Sequence, residues 1–243
     1  MDRSGVDAIL FDLDNTLIDT AGAGRGAIQK VCELLKTCGG HDAATTGDVC
    51  QRFAHKLLQE VYEPSQGRSI DDVRADHWRE AIQEAAGSDP GRDLAARCYR
   101  LWKETRLQLL ALTPEVRGLL LELGRSYKLL LLTNGESQTQ REKIRAVACE
   151  GLFSQVVVGG EHAEEKPAPS IFSHCFQLLA VRPQDCIMVG DSLHTDILGG
   201  INAGVRATVW VNGTGADLPE GPVKPDYTIT SVLDLPKILE DFT

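Results

Sequence analysis

Four short stretches of this 243-residue chain carry residue types that could do chemistry together. The first is Phe11-Asp12-Leu13-Asp14-Asn15-Thr16. Two carboxylates two residues apart on extended chain point the same way. Like charges that close cost free energy unless a cation or a proton relieves them. A hard, oxygen-preferring divalent ion such as Mg2+ suits them. The second stretch, Gly190-Asp191-Ser192 followed by Thr195-Asp196, offers a further acidic pair that could complete a carboxylate metal site. The third, Thr133-Asn134-Gly135, combines a hydroxyl, an amide and a pliable backbone, groups that hold phosphate oxygens at anion-binding turns. The fourth is Lys166-Pro167, where a fixed ammonium could neutralise charge on a transferring phosphoryl group. Taken singly, each stretch also has a plainer reading. These are a post-strand loop with an N-cap, N-capping of a helix over 195–203, an Asn-Gly turn and an exposed Lys.

The elements that must position these residues alternate. Short apolar runs lie at 6–11, 127–132, 155–158, 186–189, 207–211 and 227–229. Most end in Asp, Thr or Gly, as buried parallel strands do. Helical segments between them are expected at 114–124, with Thr113 as N-cap and Pro114 at the first position, and at 137–148, with Ser137 and Gln140 as a capping box. Two more are expected at 169–179 and 195–203. Strand and helix repeated this way predict an α/β fold with a doubly wound, Rossmann-like parallel sheet. In such a sheet ligands bind beyond the C-terminal strand ends, which here carry Asp12, Asp14, Thr133, Asn134, Asp191 and Asp196.

One interval breaks the rhythm. Between Asp12 and Tyr127 the sequence contains no good strand, far more chain than a simple crossover needs. Helices are expected there at 24–37, 48–62, 70–86 and 90–112, the last with Leu94, Cys98, Leu101, Thr105 and Leu109 on one stripe. The predicted organisation is a core of residues 1–19 and 113–243 carrying the site, with an all-helical insert over 20–112. Junctions near 19–24 and 112–114 would serve as hinges, with Gly22, Gly24 and Gly26 either pliable or simply a tight helix start.

Composition narrows the class. The net charge of −10 argues against a nucleic-acid partner, since a cationic surface is what displaces counterions from phosphates. An anionic substrate would then need local positive charge from a metal, a Lys or backbone N–H groups. Seven scattered cysteines, none in a C-x-x-C pair, fit free thiols in a reducing compartment better than disulfides or zinc. No signal peptide and no 18-residue apolar run is evident, so no membrane association and a cytoplasmic location are expected. A monomer is preferred, with the oligomeric state left open.

In this order the four stretches resemble the motifs of the haloacid-dehalogenase-like (HAD-like) hydrolase superfamily, and the helical insert resembles that family's type-1 cap. The stretches FDLDNTLIDTAGAGR, LLLLTNGESQTQREKI, VVVGGEHAEEKPAPSIF and MVGDSLHTDILGGINAG carry the resemblance, and no motif residue departs from the pattern. It implies a Mg2+-dependent phosphomonoesterase. Asp12 would be the nucleophile, forming an aspartyl-phosphate, and Asp14 the general acid and base. The metal would be held by Asp12, the Asp14 carbonyl and Asp191, with Asp196 behind them. Leu13, Asp14, Thr133, Asn134, Gly135 and Lys166 would hold the phosphoryl group. The partner implied is a small anionic sugar phosphate. Its second anionic group would meet cap residues, for which Arg74, His77, Trp78 and Arg106 are the candidates. Alternatives remain: a broader sugar or nucleotide phosphatase, a sugar-phosphate mutase, or a non-catalytic binding protein on the same fold. A dehalogenase is disfavoured by Asp14.

Overall fold

The computed structural model describes residues 5–38, 40–63, 65 and 67–242. They form two compact units, one of residues up to Asp19 together with Leu110 onward, the other Thr20–Leu109.

The first unit is built on six parallel strands: β1 (Ala8–Phe11), β2 (Lys128–Thr133), β3 (Gln155–Val158), β4 (Cys186–Gly190), β5 (Ala207–Val211) and β6 (Tyr227–Ile229). Their order is β3-β2-β1-β4-β5-β6, so the chain winds one way from β1 to β3 and then returns to the other side of β1. The strands read as apolar runs because both faces are covered. Every residue of β1, β4 and β5 is buried. Register sets the site's position. Phe11 lies level with Leu131 of β2 and Val189 of β4, so Asp12 leaves β1 beside Leu132–Thr133 and Gly190–Asp191. The Asp12 N–H continues the ladder to Val189 O at 2.9 Å.

The helices of this unit include α5 (Pro114–Leu123), α6 (Ser137–Ala146), α7 (Pro169–Leu179), α8 (Leu198–Ala203) and α9 (Leu235–Leu239); labels α1 to α4 belong to the second unit. Thr113 caps α5 as expected, accepting from Val116 N, with Pro114 in the first turn. The expected capping box on α6 is not formed. The Glu136 carboxylate caps this helix instead, taking the N–H groups of Gln138 and Thr139 at 2.8 Å each. A carboxylate at a helix N-terminus also meets the favourable end of the helix dipole, which Ser137 could not exploit. Gln140 is released from the cap and turns inward. The helix expected from 195 starts as a π-helical turn over Leu193–Ile197, capped by Ser192, before α8. Such turns redirect side chains and recur at functional sites.

The second unit holds α1 (Thr20–Cys38), α2 (Ala43–Leu58), α3 (Ile70–Ala86) and α4 (Gly91–Leu109). Its core gathers Val31, Leu35, Val49, Phe53, Trp78, Ile82 and Trp102 among others. Phe53 and Trp78 stack with ring centroids 3.8 Å apart, and Trp102 meets Phe53 edge-on at 5.3 Å. The buried face of α4 is Ala95, Cys98, Tyr99 and Trp102 rather than the expected stripe, of which Cys98 alone is buried and Leu109 is exposed. The large aromatic rings bury more area than the leucines and so set the helix rotation. Gly22, Gly24 and Gly26 all lie inside α1, the helix-start alternative. No described helix is long and apolar enough to cross a membrane.

Candidate active site

The site begins with the loop after β1. Leu13 O accepts from Leu17 N at 3.0 Å and Ile18 O accepts from Asn15 N at 2.8 Å, closing a tight turn. Asn15 takes a left-handed φ of 57°, which Asn tolerates better than most residues. This turn sets Asp12, Leu13 and Asp14 at the strand end. Asp12 and the Leu13 side chain are buried, and Asp14 is half-buried.

Lys166 organises the centre. Its Nζ donates to Asp12 Oδ1 at 2.7 Å and to Leu132 O at 2.6 Å, and lies 2.8 Å from Asp196 Oδ1. Its side chain is 1% exposed, so this is a charge buried between two buried carboxylates. Burial alone would lower its proton affinity; Asp12 and Asp196 outweigh burial and hold the ammonium above its ordinary value. The three ammonium protons face these three acceptors, so Lys166 reaches a phosphoryl oxygen only by releasing one. The loop that carries it is clamped by a reciprocal pair: Asn134 Nδ2 donates to Lys166 O at 2.8 Å, and Lys166 N donates to Asn134 Oδ1 at 3.0 Å. The Asn134 side chain thus holds Lys166 in place.

Asp12, Asp191 and Asp196 each bring a carboxylate oxygen within 4.8 Å of the others. Three carboxylates and one ammonium leave the cluster with excess negative charge. Burial pushes the Asp12 carboxyl up to about 7, with Lys166 opposing and Asp196 reinforcing. Burial, reinforced by Asp196, pushes Asp191 up to about 6. A buried set of acceptor-only oxygens with unneutralised charge suits a hard divalent cation. Within the set Asp196 is the most committed. Its Oδ2 accepts from Ser192 N at 3.0 Å while Oδ1 meets Lys166. Gly190 makes room for it, since a Cβ there would overlap the Asp196 carboxylate. The Trp210 indole N–H donates to Asp191 O at 2.7 Å and pins the loop.

The β2 end supplies the other wall. Thr133 is buried, and its Oγ1 has no hydrogen-bond partner among the described residues. Such a hydroxyl costs free energy unless something accepts or donates there, and an anion oxygen fits. Gly135 departs from its expected role. Its N–H goes to the Glu165 carboxylate at 3.2 Å rather than pointing at an open anion site. Its φ of 109° and the nearby Gln140 amide explain why Gly stands there.

Several participants escaped the sequence reading. Lys143 Nζ lies 2.6 Å from Asp14 Oδ2, and Gln140 Nε2 donates to the same oxygen at 3.2 Å. Thr16 Oγ1 donates to Asp12 Oδ2 at 3.3 Å, and the Asn15 side chain bonds Asp191. A usable signal existed for two of them. Ile144 fixes the inward face of α6, and residues 140 and 143 share that face at helical spacing.

The four insert candidates are placed in the helical unit. Trp78 is fully buried in its core, so it is not a surface available to substrate. Arg74 makes a two-nitrogen pair with Glu60, whose carboxyl it helps to hold low against the effect of burial. His77 Nε2 lies 3.4 Å from the same carboxylate. The Arg106 guanidinium lies over the Trp102 ring at 5.1 Å.

This sheet order, with carboxylates at the C-terminal ends of β1 and β4, Thr133 at the end of β2 and a buried Lys from the loop after β3, is that of an acid-nucleophile hydrolase site. A family model for the haloacid dehalogenase-like hydrolases matches residues 6–204, and the chain belongs to that family. It is 52% identical over 241 residues to N-acylneuraminate-9-phosphatase of Rattus norvegicus, covering 99% of this chain and 96% of that one. Identity and coverage are the same for N-acylneuraminate-9-phosphatase of Homo sapiens. Among solved structures, a HAD-hydrolase of Bacillus subtilis, YfnB, bound to magnesium, shares the fold with TM-score 0.70 and 23% identity, covering 97% of this chain and 99% of that one.

Proposed function

We propose that this chain is a Mg2+-dependent phosphomonoesterase whose substrate is N-acylneuraminate 9-phosphate, released as the free sugar acid and phosphate. The observation that carries the substrate is the 52% identity to phosphatases of that name across nearly the whole of both chains. The chemistry rests on the site. Asp12 attacks phosphorus, forming an O–P bond as the P–O bond to the sugar breaks. Lys166 offsets the Asp12 charge that would otherwise repel an anionic phosphoryl group. Asp14 donates the proton the leaving sugar oxygen needs, then accepts one from the water that cleaves the aspartyl-phosphate. Thr133 Oγ1 donates to a phosphoryl oxygen, together with backbone N–H groups of the Leu13–Asp14 turn. Asp12, Asp191 and the Asp14 carbonyl would hold the metal, with Asp196 orienting the set through Lys166 and Ser192. When bound, the metal supplies positive charge at the transferring group.

The helical unit is assigned the role of a cap that selects substrate, inserted between β1 and α5. Arg74, His77 and Arg106 remain its candidates for the substrate carboxylate, while Trp78 supports them from the core. Arg74 is preset by Glu60, so recognition there would require a shared guanidinium.

The test is phosphate release from N-acetylneuraminate 9-phosphate, beside hexose phosphates and nucleotides, with Mg2+ and with chelator. Strong Mg2+-dependent preference for the nine-carbon substrate, lost in Asp12→Asn, is expected. Even turnover across the panel would keep the chemistry and overturn the substrate.

A further inference from the structure

Asp14 faces a demand that Asp12 does not: it must present a proton in one direction from a half-exposed side chain on a turn. Two donors converge on one of its oxygens. Lys143 Nζ meets Oδ2 at 2.6 Å and Gln140 Nε2 meets the same oxygen at 3.2 Å. Both donors come from α6, one turn apart on its inward face, and both residues are buried. Gln140 is itself fixed, since its Nε2 also donates to Asn134 O at 2.5 Å. The Lys143 ammonium side chain is 4% exposed against 27% for Asp14, so the brace is more deeply buried than the group it holds. A buried ammonium on a helix face needs a carboxylate partner, and Asp14 supplies it.

We infer that Lys143, seconded by Gln140, is a positioning residue that locks the Asp14 carboxylate in one orientation and confines proton exchange with the leaving oxygen to Oδ1. An oxygen accepting from an ammonium at 2.6 Å cannot carry the transferred proton without displacing that donor. Lys143 is assigned no contact with phosphorus or the leaving group. It acts through Asp14, and the inference rests on the reading of Asp14 given above. In that step the Asp12–phosphorus bond forms, the phosphorus–sugar oxygen bond breaks, and the proton on Asp14 Oδ1 passes to the departing oxygen.

The leaving group separates this from a general structural or electrostatic role. A sugar alkoxide must be protonated as it departs, whereas p-nitrophenolate leaves unaided. The experiment measures kcat/KM of wild type, Lys143→Met and Asp14→Asn on N-acetylneuraminate 9-phosphate and on p-nitrophenyl phosphate. The ratio of the two values is independent of how much of a preparation is folded. Lys143→Met is expected to lower the ratio at least tenfold, in the same direction as Asp14→Asn and by less. An equal loss on both substrates, or no loss, overturns the inference. If Lys143→Met yields no folded protein, Lys143→Gln is read by the same ratio. Wild-type enzyme that turns over p-nitrophenyl phosphate and alkyl phosphates but not the nine-carbon substrate would overturn the substrate assignment alone. The ratio is then read with the best alkyl phosphate.

Discussion

Replacing Lys166 with Met should cost this protein much of its stability, and part of the cost should be recoverable by a second substitution. Lys166 is nearly inaccessible and bridges Asp12 and Asp196, at 2.7 and 2.8 Å, with Leu132 O as its third acceptor. Met fills the same volume and removes the charge. Two buried carboxylates then face each other and Asp191 with no ammonium between them. Breaking a buried pair by removing one partner costs about 3–5 kcal/mol. At about 2–4 °C per kcal/mol for a chain of this size class, the midpoint should fall by roughly 10 °C. The assay is thermal unfolding at pH 7.5 in chelator. The deficit should narrow at pH 5. A carboxyl whose folded pKa lies above its unfolded value destabilises the fold increasingly as pH rises through that window, and Asp12, pushed up by burial, is such a group. Adding Asp196→Asn to Lys166→Met should recover about 1–2 kcal/mol, a non-additivity expected of residues in contact. A Lys166→Met midpoint within about 2 °C of wild type, or strictly additive variants, would refute the view that this lysine compensates the cluster.

Further outcomes follow from the same geometry. Mg2+ should raise the unfolding midpoint more at pH 7.5 than at pH 5.5, because Asp12 near 7 and Asp191 near 6 must lose protons to bind it; an equal rise at both pH values counts against that site. Asp12→Asn should abolish phosphate release while still folding, which circular dichroism and turnover assays check together. Gly190→Ala should reduce turnover at least tenfold by displacing Asp196, and unchanged kcat would show that the loop accommodates a Cβ. Trp78→Ala should cost about 3–5 kcal/mol in urea unfolding, and Trp78→Phe far less, as suits a stacked core residue.

Much of this protein was legible in its sequence. Buried parallel strands announce themselves as short apolar runs, because a sheet covered on both faces tolerates little else. Three of the six strands, Gln155–Val158, Ala207–Val211 and Tyr227–Ile229, fall where the pattern puts them, and the others shift by a residue or two. The acidic residues stood out because polar groups directly after apolar runs are expensive without a purpose, whereas Lys166 gained weight only from its order among the other stretches.

What the sequence left open was settled by contacts between distant segments. That Lys166 lies between Asp12 and Asp196 depends on three strand ends meeting, 154 residues apart in one case. Local pattern cannot show that Glu136 outcompetes Ser137 for the end of α6, nor that Gln140 and Lys143 then reach Asp14 across 126 and 129 residues. The inward rotation of α4 follows from Trp102 and Tyr99 meeting the Phe53–Trp78 stack, which overrides a plausible leucine stripe. The residue types that can attack, protonate and neutralise are written in the chain. Which oxygen each cation faces is a matter of tertiary packing, because Coulomb energy and hydrogen bonding depend on distances that only the assembled sheet defines.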